Sequence, residues 1–270
     1  MAIRKILRRL PGANILRELR ERTYLLKAPT VTPNGFKFAS LRKMTNGEFE
    51  TDVVRFIKYL FSRGDYDRFI DIGAHHGYYT CLAASLGMPT ISFEPNNINR
   101  KVLNRNLFLN GFKNSIIFPY ALSEVDSLGN MWGFGTGFSI FNYWAGDVSN
   151  KFQSIEFRAL DNLFIEISNS IIKIDTEGSE LQVLRGATNS FVKCSNSVLI
   201  IEVSKVPYAR EINKELPGPR ETIEFLVELG FYPIELREGN LGLEVARRNL
   251  ADLVQGLDSF ESANLFFKKA

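Results

Sequence analysis

Acids and glycines recur at the ends of apolar runs in this chain, an arrangement suited to seating a nucleotide-like ligand. Residues 69–80 read FIDIGAHHGYYT. The apolar start, Phe69 to Ile72, reads as a buried strand, and Tyr78 onward as a helix. Between them Asp71, Gly73 and Gly77 form D-x-G-x-x-x-G. Glycines in such a turn let the backbone approach a ligand, and open α/β sheets bind ligands beyond the carboxyl ends of their strands. The spacing is not G-x-G-x-x-G, and no G-x-x-x-x-G-K-[ST] string occurs, so a pyrophosphate cradle and a P-loop are both absent. His75 and His76 fill the positions between the glycines instead. A cofactor without phosphates would want an acid near a charged amino group, and Asp71 could supply it. The competing reading is ordinary turn chemistry.

Two more acidic strand ends follow. PTISFEPN, residues 89–96, reads as a second strand ending at Glu94 and Pro95. A carboxylate about 20 positions after the glycine turn is where a ribose diol is gripped, and the span suits a βαβ unit. A solvated carboxylate is the plainer alternative. Residues 171–187 read IIKIDTEGSELQVLRGA. Ile171, Ile172 and Ile174 make a strand, and Asp175 and Glu177 crowd its end. Leu181 and Leu184 face the sheet from the helix that follows, and Gly186 stops it. The two carboxylates could act on a substrate or simply cap and complement the helix start.

The pairing of D-x-G-A-x-x-G-Y-Y-T with K-x-D-x-E-G-x-E-x-x-V-L-x-G-A resembles the FkbM-type methyltransferases, which are class I, S-adenosylmethionine-dependent enzymes. The similarity runs from about Phe69 to about Glu202. It includes Glu94-Pro95, the turn from Ala121 to Ser123, and L-D-N-L at Leu160 to Leu163. The departure is His75-His76, where family members more often carry a small polar residue and then an apolar one. The resemblance implies a Rossmann-like α/β fold: a mostly parallel seven-stranded sheet, helices on both faces, and an antiparallel C-terminal strand. It implies S-adenosylmethionine held by Asp71, Gly73, Ala74, Gly77 and Tyr79, by Glu94, Pro95 and Asn96, by Ala121, Leu122 and Ser123, and by Asp175. It favours oxygen methylation of a sugar, glycan or secondary metabolite. Candidate proton acceptors at the strand ends are Asp175 and Glu177 first, then Glu202 and His76. No metal-site residues are assigned, and metal dependence stays open. Asp161 in L-D-N-L resembles a family position to which no role is assigned, and the plainer alternative is a helix cap before Asn162 to Ile167.

The elements that must position these residues follow from apolar periodicity. Helices are expected over 49–63, 78–86, 96–109 and 219–229. Strands are expected over 115–118, 197–203, 232–236 and 264–268, the last two as a late pair. Alternating strands and helices imply a parallel sheet covered on both faces. Asn34-Gly35 predicts a hairpin turn. The segment 131–146 holds both tryptophans among glycines, and reads either as a lid or stacking platform or as a hairpin packed on the core. The division expected is residues 1–48 as a basic helical extension with a hairpin and 49–270 as the methyltransferase domain.

Composition narrows the alternatives. The chain has 270 residues, 45% hydrophobic, with 22 Phe, which suits one large α/β domain. Two cysteines, Cys81 and Cys194, argue for a reducing, cytoplasmic setting and against a disulfide scaffold. Two adjacent histidines exclude a multi-histidine metal centre. No apolar run reaches the ~18 residues of a membrane span. The net charge is +3, but residues 1–27 carry eight Lys or Arg against two Glu, so the remainder is −3. This tail reads either as an interfacial helix pair drawn to anionic lipid on the membrane's inner face or as a helical cap on the domain. The expected partner is a small-molecule or carbohydrate acceptor, with no nucleic acid, since the aromatic segment lacks Lys and Arg; oligomerisation stays open. Two rival classes remain: a nicotinamide-dependent oxidoreductase, which lacks its glycine signature here, and a non-catalytic membrane-associated module that kept the fold.

Overall fold

The computed structural model describes residues 22–132, 152–204, 218–239, 242–257 and 262–270. The basic tail before residue 22 and most of the tryptophan- and glycine-rich segment, from residue 133, lie outside the described residues.

The chain enters through a short hairpin, β1 (Thr30–Val31) and β2 (Lys37–Phe38), closed at Asn34-Gly35 as the turn signal predicts. Phe36 and Phe38 from this hairpin are fully buried among Tyr78, Leu103 and Phe69. A short helix, α1 (Arg42–Thr45), and a longer one, α2 (Thr51–Arg63), follow. In α2, Val53, Phe56, Ile57 and Leu60 recur at helical spacing and are buried against the sheet.

Strands then alternate with helices: β3 (Arg68–Ile72), α3 (Tyr78–Ser85), β4 (Thr90–Phe93), α4 (Asn97–Asn110) and β5 (Ser115–Phe118). β6 (Ala121–Leu122), β7 (Ser127–Trp132) and β8 (Phe152–Arg158) form a separate three-stranded sheet in the order β6-β8-β7. β9 (Ser170–Ile174), α5 (Glu180–Arg185), α6 (Thr188–Lys193), β10 (Val198–Ser204) and α7 (Pro219–Glu228) resume the alternation. The chain ends in β11 (Phe231–Gly239), β12 (Gly242–Arg247), α8 (Leu250–Gly256) and β13 (Ser262–Lys269).

The main sheet runs β12-β11-β13-β10-β9-β3-β4-β5. β10, β9, β3, β4 and β5 are parallel, whereas β13 inserts antiparallel between β10 and β11. This is the Rossmann-like methyltransferase architecture implied by the resemblance, with one difference. An eighth strand, β12, pairs antiparallel with β11 at the edge. Its sequence, GLEVAR, has one apolar face and escapes notice beside the longer runs.

Both sheet faces are covered. One apolar layer holds Val183, Leu184, Phe191, Ile223, Leu226 and Leu253 from α5 to α8. The other holds residues of α2, α3 and α4 together with the entry hairpin. β9 is buried along its whole length, as expected for a central parallel strand. Asp161 does not cap a helix over 162–167. That segment is a single 3-10 turn, Leu160–Asn162. The Asp161 carboxylate instead accepts from the Asn189 and Ser190 backbone N–H groups at 2.9 and 2.8 Å, capping α6.

Candidate active site

A cavity of about 230 Å³ opens over the carboxyl ends of β3, β4, β9 and β10. The parallel register brings these ends together. Ile72 pairs with Phe93 on one side and Ile174 on the other, and Ile174 pairs with Ile201. Asp71, Glu94, Asp175, Glu177 and Glu202 all line the cavity, as do Gly73, Ala74, Tyr79, Pro95, Ala121 and Leu122. Four residues singled out in the sequence, His76, Gly77, Asn96 and Ser123, lie behind its wall.

The glycines are required by packing. A Cβ on Gly73 would fall 1.9 Å from the Asp175 carbonyl oxygen, and one on Gly77 would fall 2.0 Å from Leu103 Cδ1. Both have positive φ, 85° and 80°. Gly73 therefore lets β3 and β9 converge at the cavity floor, and Gly77 lets α3 start against α4. Their side-chain-free faces meet the protein itself, while the Gly73 backbone also lines the cavity and Gly77 does not.

One end of the cavity is built on Asp71 and Glu94. Asp71 is 2% exposed and accepts from Thr80 N at 3.0 Å and Thr80 Oγ1 at 2.5 Å. Thr80 Oγ1 also lies 2.9 Å from Ser92 Oγ on the neighbouring strand. Burial raises the Asp71 carboxyl to about 6, although Thr80 and Lys173 pull the other way. Glu94 accepts from His75 N at 2.7 Å and Asn96 N at 2.8 Å. Burial raises it to about 7 against those same hydrogen bonds. Asn96 caps α4, accepting from Ile98 N and Asn99 N, while its amide donates to Gln153 on β8 at 3.1 Å. Asn96 thus holds the Glu94 loop in place from outside the cavity. Tyr120, Leu122 and Met131 form the apolar wall beside it.

The other end is charged. Lys173 donates to Asp175 Oδ2 at 2.9 Å and lies 5.0 Å from the centre of the Tyr79 ring. Asp175 and Glu202 share a hydrogen bond. Burial, the largest influence, would raise Asp175, but the Lys173 ammonium, the hydrogen bond from Glu202 and His75 together outweigh it and the group is lowered. The Asp175 charge, followed by burial, pushes Glu202 up to about 10. Burial alone would lower Lys173, yet Asp175, Glu50 and Glu202 more than reverse this and raise it. Tyr79 donates its hydroxyl to Glu50 Oε2 at 2.5 Å, and Asn264 Nδ2 donates to the same oxygen at 3.1 Å.

Three cavity-lining residues other than glycine have left-handed backbone: Glu50 (φ 40°), His75 (φ 50°) and Glu177 (φ 54°). Such conformations cost energy and cluster at functional sites. The loop carrying Glu177 is tied by Glu180, whose Oε1 accepts from Thr176 N, Thr176 Oγ1 and Gly178 N at 3.0 to 3.1 Å. His75 lines the cavity, whereas His76 is fully buried behind it. The two rings stack at 3.9 Å, and Ser40 Oγ lies 2.5 Å from His76 Nδ1. Burial lowers His75 to about 4 and, with His75 adjacent, His76 to about 2, so both are neutral.

Spacing misses Lys173, Glu50, Phe49 and Lys43, all of which line the cavity. Lys173 carried a signal, being a lone cation inside the apolar run SIIKI. Phe49 and Glu50 precede α2 and are brought in only by tertiary packing, with Phe49 against Tyr78 and Tyr79 at 5.2 and 5.9 Å. Among the described residues no cluster of His, Cys, Asp or Glu has the arrangement of a metal site, and no helix is long and apolar enough to cross a membrane.

Comparison with known proteins places this geometry. No curated protein matches the chain. Among solved structures it is similar to precorrin-6y C5,15-methyltransferase from Geobacter metallireducens (12% identity, TM-score 0.47, 86% of this chain and 95% of that one). It is also similar to an rRNA methylase from Streptococcus thermophilus (8%, 0.42, 82% and 98%). A third is M. jannaschii TYW2 in complex with AdoMet (14%, 0.37, 87% and 82%). At these scores none of the three bears on what this chain acts on. The family model is decisive: residues 71–233, more than half of the chain, match the methyltransferase FkbM domain. The chain belongs to the FkbM methyltransferase family, and its methyl donor is S-adenosylmethionine.

Proposed function

We propose that this protein transfers a methyl group to a hydroxyl oxygen of a sugar, glycan or secondary metabolite, with Asp175 receiving the hydroxyl proton. The observation that carries this reading is the single cavity joining two buried carboxyls, Asp71 and Glu94, to the Asp175–Glu202 pair. The residues present fit the donor. Glu94 is a buried carboxylate at a strand end, placed for a ribose diol. Asp71 and the turn Gly73-Ala74 lie beneath it, and Tyr120 and Leu122 offer an apolar wall for a base. The donor supplies a methyl carbon already activated by its sulfonium.

The chain's own contribution is positioning and proton handling. Asp175 is the ionised member of its pair and stands at the cavity floor. Glu202 keeps a proton and can donate a hydrogen bond. Glu177 reaches the same cavity from its strained loop and orients the acceptor. Aromatic Phe49 and Tyr79 offer faces on which a sugar ring can lie. His76, shut behind His75, supports that ring and does not reach the acceptor.

An acceptor screen read by mass tests the proposal. Methylated hydroxyl compounds are expected with wild type, and Asp175→Asn should lower turnover by about 10²-fold or more while leaving donor affinity within a few fold. Products methylated only on carbon or nitrogen would overturn it. The basic segment 1–27 either touches anionic membrane or caps the domain; its end favours the cap, since Tyr24 is buried against His76 and Arg105 donates to the Tyr24 and Lys27 carbonyls, and vesicle co-sedimentation with and without the segment separates the two.

A further inference from the structure

Lys173 stands where an apolar residue would serve the fold. Its neighbours Ile172 and Ile174 are fully buried, and its own side chain is 1% exposed. A buried ion pair seldom stabilises more than well-packed hydrophobic side chains of the same volume. The ammonium is therefore costly to keep, and its surroundings show what keeps it. Carboxyl groups face it from four elements: Asp175 beyond its own strand, Glu202 on β10, Glu50 ahead of α2, and Asp71 on β3. The Tyr79 ring closes the remaining side. The other titratable groups facing Asp175 are His75, which is neutral, and Glu180, which is tied into the loop by three hydrogen bonds.

We propose that Lys173 is a positioning residue for proton transfer: it compensates one charge on the Asp175–Glu202 pair, so that Asp175 stays ionised toward the acceptor and the pair's single proton stays on Glu202. This rests on the reading of Asp175 as the proton acceptor. The charge balance favours it. As the acceptor oxygen bonds to the methyl carbon, the sulfur–carbon electron pair returns to sulfur and the hydroxyl proton passes to Asp175. The positive charge lost at sulfur thus reappears as a proton on Asp175, and the net charge of the cavity is unchanged. Without the ammonium, the ionised form of Asp175 would lose the cation that faces it at 2.9 Å, and its midpoint would move up toward the working pH.

Carboxyl-carbon NMR titration of the full chain tests this without any acceptor or donor. Wild type, Lys173→Met and Lys173→Arg are compared. In Lys173→Met the Asp175 midpoint should rise by about one pH unit or more, and Lys173→Arg should restore it. A natively folded Lys173→Met whose Asp175 titrates as in wild type overturns the proposal. Should that variant not fold, Asp175→Asn serves: Glu202 should then titrate several units lower, and an unchanged Glu202 midpoint also overturns it. Calorimetry of S-adenosylmethionine binding to wild type checks the methyltransferase reading independently, so the two can fail separately.

Discussion

At the scale of single residues, the carboxyl groups carry the testable chemistry. Glu94 is raised to about 7 by burial in the protein without donor. A diol is held by the ionised form, so donor binding should tighten as pH rises through about 7, with release of a proton. Calorimetry from pH 6 to 8 in buffers of different ionisation enthalpy would show both effects, and Glu94→Gln should bind weakly at every pH. Asp71→Ala and Glu94→Ala should each weaken S-adenosylmethionine binding by about tenfold or more with the fold retained; unchanged affinity in both would remove them from the donor seat. Glu177→Gln should lower turnover more than donor affinity, and wild-type turnover would exclude Glu177 from the reaction.

Elements explain why these groups meet at all. Five parallel strands deliver their ends to one rim, and Gly73 sets how closely two of them converge. Gly73→Ala should cost about 2–4 kcal/mol, from left-handed backbone and a clash with the Asp175 carbonyl. Urea unfolding measures the loss. Gly77→Ala should also destabilise, and adding Leu103→Ala should recover part of it, because there the obstacle is a side chain. The strand-turn-helix units were legible because local apolar pattern and turn chemistry agree there, as in Phe69–Tyr79 and Ile171–Leu184. Strand β12 and the small sheet of β6, β7 and β8 were not, since short strands with exposed faces carry little periodicity. The acids at the parallel strand ends could be found from spacing. Glu50 and Phe49 could not, because their place depends on α2 docking far from β9 in sequence. The glycine pattern was legible but its cause was not: spacing alone cannot tell a backbone that meets a ligand from one that meets Leu103.

For the whole molecule, the stacked histidines link stability to acidity. Folded His75 and His76 are depressed to about 4 and about 2. Above the unfolded value near 6.5 they bind no proton in either state and contribute nothing. As pH falls below 6.5 the unfolded chain takes up protons that the folded rings refuse, and folding is disfavoured. His76→Asn removes one such proton. Its stability relative to wild type should therefore improve by about 2 kcal/mol between pH 7 and pH 5, and a constant difference across that range would refute the coupling. The entry hairpin is equally part of the body, since Phe38 is wholly buried, and Phe38→Ala should cost about 3–5 kcal/mol. Glu50 has a wider bearing. It grips Tyr79 and Asn264 at once, yet it and its neighbour Phe49 precede the span that matches the family. Where Phe49 offers its face to the acceptor as proposed, exchanging the short stretch ahead of α2 is the natural graft for redirecting the enzyme to a new acceptor.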